Sequence, residues 1–416
     1  MTPASIVVIG GILKINRTNT TIVAISICQF ILWGTLYSSF TLFIEPVHRD
    51  LNFGTTFIVT SFSIALGVSG LCAIPIGKWV DRRGGFIPLS IGSAISSVLL
   101  FALSINKNPV VFVAIWIGLG VTMAAVLSQT AYATFVQMGM AVGRKAVLYC
   151  SLGTAASAAF FLPLCSYLIT SIGWQETLRV LAALNFLCAI IHFVHVPRAN
   201  FNFAEVDSSS RSSTLLHDRS RQLFLILVAF GANSATAAVL AVHLVPLLLW
   251  GNYSMNEAVL AAALVGPAQI LIRVLMVGKL SEKISYYGLG IYAMGFQIVS
   301  LFVLVVSITF FSSISLLFIF SILNGLSLGA GLLSRALITT EFFDVQEYGI
   351  TQGYIQSASM MARAVAPAAF AFVMSTFDTR ISLYFLLALG AISFLAISML
   401  KGKAFPPIDP TPVDMN

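Results

Sequence analysis

A chain of 416 residues with 58% hydrophobic side chains and only 9% charged ones carries more apolar surface than a water-soluble core of that length can hide. Mean hydropathy is +0.96, and the apolar residues gather in runs of about 20, long enough to cross roughly 30 Å of hydrocarbon as helices. A soluble enzyme is excluded on these grounds. The formal charge of +7 matches the Lys and Arg excess of loops on the inner side of a membrane, so no nucleic-acid partner is expected.

The first residues, MTPASIVVIGGILKIN, hold a short apolar patch with no basic stretch before it, and read as a retained tail. Twelve spans follow, at 21–44, 55–76, 86–105, 109–137, 146–171, 178–197, 222–249, 257–278, 288–311, 313–338, 349–375 and 381–400. The runs are continuously apolar and lack alternation, which argues against a β-barrel. The fold class is therefore an all-α polytopic membrane protein.

The first span aligns Gln29, Trp33 and Tyr37 at i, i+4 and i+8 and ends near Glu45 and Pro46. That polar-aromatic face suits a planar substrate or helix packing equally well. The turn after the second span, GKWVDRRGG, concentrates Lys78, Asp81, Arg82 and Arg83. The fourth span holds Gln129 and Tyr132, and the fifth is rich in small residues around Pro163. Residues 198–221 are polar, Ser-rich and basic, the composition of a flexible linker. They divide the chain into 1–197 and 222–416, each with six spans. In the second part, Asn233, His243 and Pro246 fall in the seventh span, and Gln269 and Arg273 in the eighth. Asn324 and Arg335 follow in the tenth, and Gln352, Gln356, Arg363 and Pro367 in the eleventh.

With both termini inside, fifteen basic residues face the cytoplasm and four face outward, while Arg273, Arg335 and Arg363 fall within spans. A multi-pass protein of a cell inner membrane is expected. The five cysteines all lie in apolar runs without a CxxC pair, which implies neither a disulfide framework nor a metal site. No phosphate-binding G-x-x-x-x-G-K-[ST] loop, HExxH or GxSxG occurs, so no cofactor is expected and ATP hydrolysis is not encoded.

The two parts share landmarks. Gly77-Lys78-x-x-Asp81-Arg82 recurs as Gly278-Lys279-x-x-Glu282-Lys283, Pro46 as Pro246 and Pro163 as Pro367, each about 200 residues later. Duplicated six-span bundles around a central cavity are an architecture of secondary transporters. GKWVDRRGG resembles the loop signature of the major facilitator superfamily, G-x-x-x-D-[RK]-x-G-[RK], with Gly77, Asp81, Arg82 and Gly84 matching and Gly85 replacing the last basic residue. Within it, WGTLYSSFTLFIEPV and the late arginine of the eighth span resemble the monocarboxylate and oxalate–formate branch. The resemblance implies a gating role for Gly77, Asp81, Arg82, Gly84, Gly278 and Glu282. In it, Asp81 would pair with an arginine or a helix dipole of the neighbouring bundle. It also marks two departures: the branch's acid one turn before the arginine is Gln269 here, and the oxalate–formate cavity lysine falls near Ile355.

A charge at mid-bilayer faces a wet cavity or a partner. Arg273 with Gln269 is the leading contact for a carboxylate, because the guanidinium fork matches it. Arg363 is a second anion contact or a gate, on a face shared with Gln352 and Gln356. Gln29, Trp33, Tyr37, Asn233 and Tyr132 complete the candidate cavity. Arg335 is expected to snorkel or to pair with Glu341. No carboxylate falls at mid-membrane, which leaves Glu45 and His243 as coupling candidates. The leading expectation is a monomeric secondary carrier of a small organic anion; the alternative is a carrier of a larger, weakly charged or planar compound. A sensor or scaffold role finds no appended signalling domain to support it.

Overall fold

Backbone amides in hydrocarbon must be satisfied within their own segment, so apolar runs of this length can only be helices. The computed structural model describes residues 3–198, 213–277 and 283–400. Among them, twelve helices are long and apolar enough to span a membrane: α1 (Thr18–Leu51), α2 (Thr55–Arg83), α3 (Phe86–Ile105), α4 (Pro109–Gln137), α5 (Val142–Ile172), α6 (Trp174–His195), α7 (Arg219–Trp250), α8 (Met255–Val277), α9 (Tyr286–Phe311), α10 (Ile314–Leu337), α11 (Tyr348–Thr376) and α12 (Thr379–Ser398). Several expected boundaries move. α1 runs on to Leu51 and α2 to Arg83, so residues 77–83 of the expected turn are helical and the chain leaves the helix only at Gly84. Helix begins at Pro3 where a tail was expected, and the helix carrying α7 begins at Ser213, so residues 213–221 of the expected linker are helical.

The ends of the helices follow local chemistry. Asn108 caps α4 by accepting from the Val110 and Val111 amides, with Pro109 at the first helical position. Asn52 and Asn252 both take left-handed φ values, 55° and 63°, just after the first helix of each half; asparagine tolerates that region better than most residues. The tight turn expected near Ser312 is present, with Ser312 at φ 38°.

Inside each half, small and hydroxylated residues let helices approach closely. α3 and α6 share a buried polar ladder: Ser96 Oγ donates to Asn185 Oδ1 at 2.9 Å, Ser97 Oγ to the Ala182 carbonyl at 2.7 Å, and Asn185 Nδ2 to Thr35 Oγ1 of α1 at 2.8 Å. The halves meet chiefly where α2 lies along α11 and where α5 lies against α8 and α10. Glycine is required at the first of these seams. A Cβ on Gly77 would collide with the Gly349 carbonyl, and one on Gly353 would sit 2.7 Å from the Ala73 carbonyl oxygen. Contact extends inward to Gly70 beside Met360, whereas Gly67 and Gly266 have nothing within 4 Å. The two halves thus touch at the end bearing the basic loops, here termed the basic end.

Two helices that line the seam between halves are irregular. α1 widens to a π-helical turn at Gly34–Ser38, and α4 breaks at Leu127, between Val126 and Ser128. Such interruptions free backbone groups that side chains then satisfy.

Candidate functional site

The arginines of α8, α10 and α11 converge between the halves. Arg273 is 3% exposed; its Nη1 donates to the Ser151 carbonyl of α5 at 2.8 Å and its Nη2 to Gln269 Oε1 at 3.4 Å. Arg363 is half-buried and donates from Nη1 to the Tyr37 hydroxyl of α1 at 3.1 Å. Arg335 lies within electrostatic range of Arg363, Arg273, Tyr132 and Tyr37. Tyr132 is buried, with its hydroxyl toward Ser128 one turn earlier on α4. The Nε atoms of Arg273 and Arg363 are buried without acceptors among the described residues.

The ion pairs found among the described residues lie near helix ends: Arg49 with Glu45, Arg179 with Glu176, and Arg219 with Asp344 and Glu347. None of them neutralises the three converging guanidinium groups. Like charges held together in a low dielectric repel unless an anion joins them. Phenol hydroxyls from Tyr37 and Tyr132 add polar contacts that do not cancel charge.

The placement of Arg335 corrects the sequence reading. Its expected partner Glu341 instead accepts from the amides of Tyr286 and Tyr287, at 2.7 and 2.9 Å, and so caps the start of α9. Helix resumes at Thr339–Phe342 just past α10, so Arg335 is deeper than its distance from the span's end suggests. The available signal was its spacing from Asn324, i and i+11 on one helical face.

The other candidates separate into two groups. Gln269 and Gln356 are half-buried and stay with the arginines on α8 and α11. Gln29 and Gln352, expected on the substrate path, are interhelical clamps. Gln29 Nε2 donates to the Val126 carbonyl at 2.6 Å, where α4 breaks. Gln352 Nε2 reaches the Arg335 and Ala336 carbonyls, each at 2.9 Å, and Thr339 Oγ1 at 3.1 Å. Trp33 also serves the break, donating to Ser128 Oγ at 2.7 Å, while its ring meets Tyr37 edge-on at 5.3 Å. Asn233 is buried on α7 beside Gly331, one turn before Arg335.

Among the described residues, neither coupling candidate makes a hydrogen bond or ion pair to Arg273, Arg335 or Arg363. Glu45 is exposed and pairs with Arg49 one turn away. His243 contacts the Pro367 carbonyl through Nε2 at 3.1 Å and packs on Phe370, within the second half.

At the basic end the two halves are joined by Asp81. Its Oδ1 accepts from the Gly349 amide and its Oδ2 from the Ile350 amide, both at 2.7 Å. These are free donors of the first turn of α11, so of the two partners that the resemblance allowed, the helix dipole is the one found. Gly77 permits this approach, and Gly84 ends α2 at φ 75°. Arg82 is exposed beside a cavity of about 450 Å³ that Lys78, Arg219 and Glu347 also line. Gly278 and Glu282 lie outside the described residues.

Twelve spans among the described residues, arranged as two six-helix halves with three arginines brought near one another between them, have the architecture of a membrane transport protein. The Major Facilitator Superfamily model matches residues 25–310, and the chain belongs to that superfamily. It is similar in structure to a variant of the E. coli fucose:proton symporter, at 12% identity and a TM-score of 0.66, over 91% of this chain and 97% of that one. At that identity the likeness shows the fold alone. No curated protein matches the sequence.

Proposed function

We propose that the protein is a secondary active carrier of a small organic anion, and that Arg273, Arg335 and Arg363 bind it. The observation that carries this is three intramembrane guanidinium groups without a carboxylate partner among the described residues. A carboxylate accepts a guanidinium fork through two parallel bonds, and the orphaned Nε atoms supply donors for it. Tyr37 and Tyr132 would orient the rest of the substrate. An empty site would carry uncompensated charge through the transport cycle, so exchange of one anion for another suits it better than proton symport. The basic end would face the cytoplasm, as loops rich in Lys and Arg do, and both termini would lie there.

Uptake into proteoliposomes, measured over a panel of mono- and dicarboxylates with and without a trapped anion, tests the reading. Saturable carboxylate uptake, stimulated by trapped anion and abolished in Arg273→Ala and Arg363→Ala, is expected. Uptake of neutral aromatic compounds that small carboxylates do not inhibit, with both variants active, would replace it with the planar-substrate alternative.

A further inference from the structure

A concave feature lies away from the arginines, on a flank of the first half. Residues 19–30 of α1 and 142–153 of α5 leave between them a groove of about 780 Å³. Its walls include Val23, Ile27 and Tyr149, whose side chains are turned outward at 57, 49 and 57% exposure. On α5 the Ser151 carbonyl is the backbone atom that meets Arg273 across the halves, whereas Lys145, Tyr149 and Gly153, at i, i+4 and i+8, line this groove.

Three properties specify an occupant. The groove is lined mainly by apolar side chains, which suits a hydrocarbon chain. Each wall runs about 16 Å at 1.5 Å per residue, close to the ~15 Å hydrocarbon depth of a single leaflet. The deep end is bordered by Phe30, which packs against Phe160 and Phe161 with ring centroids 5.5 Å apart in each pair. At its mouth, toward the basic end, stands exposed Lys145, which makes no ion pair among the described residues. Its ammonium would lie at headgroup level.

We propose that this groove binds an anionic phospholipid of the leaflet at the basic end, with one acyl chain between α1 and α5 and the phosphate on Lys145. A basic side chain at a membrane surface favours an anionic headgroup by about five-fold. Gly153 offers independent control of the apolar part. A Cβ there would meet the Ser26 carbonyl oxygen at 3.8 Å and Phe30 Cβ at 3.9 Å, ordinary contacts, so a larger side chain can be added and would occupy the groove.

The test uses the full chain in phosphatidylcholine vesicles with Tyr149→Trp as reporter, its emission taken as the difference from the unmodified protein. Brominated phosphatidylglycerol should quench the added indole at about five-fold lower mole fraction than brominated phosphatidylcholine. Lys145→Gln should remove that preference, and Lys145→Arg should keep it. Gly153→Phe should weaken quenching by both lipids while an unchanged thermal midpoint in detergent shows that the variant is folded. Equal quenching by the two lipids, a preference that survives Lys145→Gln, or quenching indifferent to Gly153→Phe would each overturn the proposal.

Discussion

Substituting Asp81→Asn removes one acceptor and the charge from the contact that ties α2 to the first turn of α11. In the native protein both carboxylate oxygens accept amide hydrogens at 2.7 Å. Asparagine can keep one of those bonds, but its NH2 then faces the second amide donor to donor. A hydrogen bond to a charged group contributes about 1.5–3 kcal/mol, and a carboxylate at a helix N-terminus adds about 0.3–1 kcal/mol. The loss is therefore roughly 2–4 kcal/mol of preference for the arrangement closed at the basic end. Each 1.4 kcal/mol is a factor of ten, so the equilibrium should move roughly 30- to several hundred-fold toward the basic-end-open state. Spin labels on Lys78→Cys and Gln346→Cys, whose native residues border the same cavity, should report a longer distance in the Asp81→Asn background. Transport should fall, while the affinity of the anion site, more than a single helical turn away on Arg273 and Arg363, should stay largely intact. An unchanged distance distribution combined with a large loss of affinity would refute the reasoning.

Gly77→Ala should open the same seam by sterics, because its Cβ would collide with the Gly349 carbonyl; transport should be lost, whereas Gly67→Ala, with nothing within 4 Å, should be transport-competent. Arg335→Gln should raise the half-saturation concentration for anion uptake at least ten-fold if its charge contributes to binding, and unchanged kinetics would return it to a packing role. Gln352→Ala should lower stability by about 1–3 kcal/mol through its lost bonds to α10, read as a fall in thermal midpoint in detergent with unaltered substrate selectivity. Glu45→Gln should leave the pH profile of uptake unchanged, because the carboxylate is exposed and paired with Arg49; a shifted profile would restore it as a coupling residue.

Particular residues show where sequence reasoning stopped. The number and approximate limits of the spans follow from hydropathy, since a helix in hydrocarbon satisfies its backbone using only its own residues. Arg273 and Arg363 stood out for the same reason: a charge inside an apolar run is conspicuous without knowledge of its neighbours. Asp81 was legible as a latch through its loop pattern, but two partners remained open until the α11 amides were found at bonding distance. Arg335 and the glutamines are the opposite case. Periodicity placed Gln29 and Gln352 on polar stripes, yet a stripe does not say whether it meets water or another helix's carbonyl. That was decided by the break in α4 at Leu127 and by the end of α10, features of packed neighbours. The sequence by itself determined twelve helices and which charges lie inside them, because these are properties of one segment against lipid; several of the helix ends were set by packing and capping instead. Only the tertiary structure decided that Arg335 joins Arg273 and Arg363 while Glu341 turns away to cap α9, because partner choice depends on which helices lie within a few ångströms of each other.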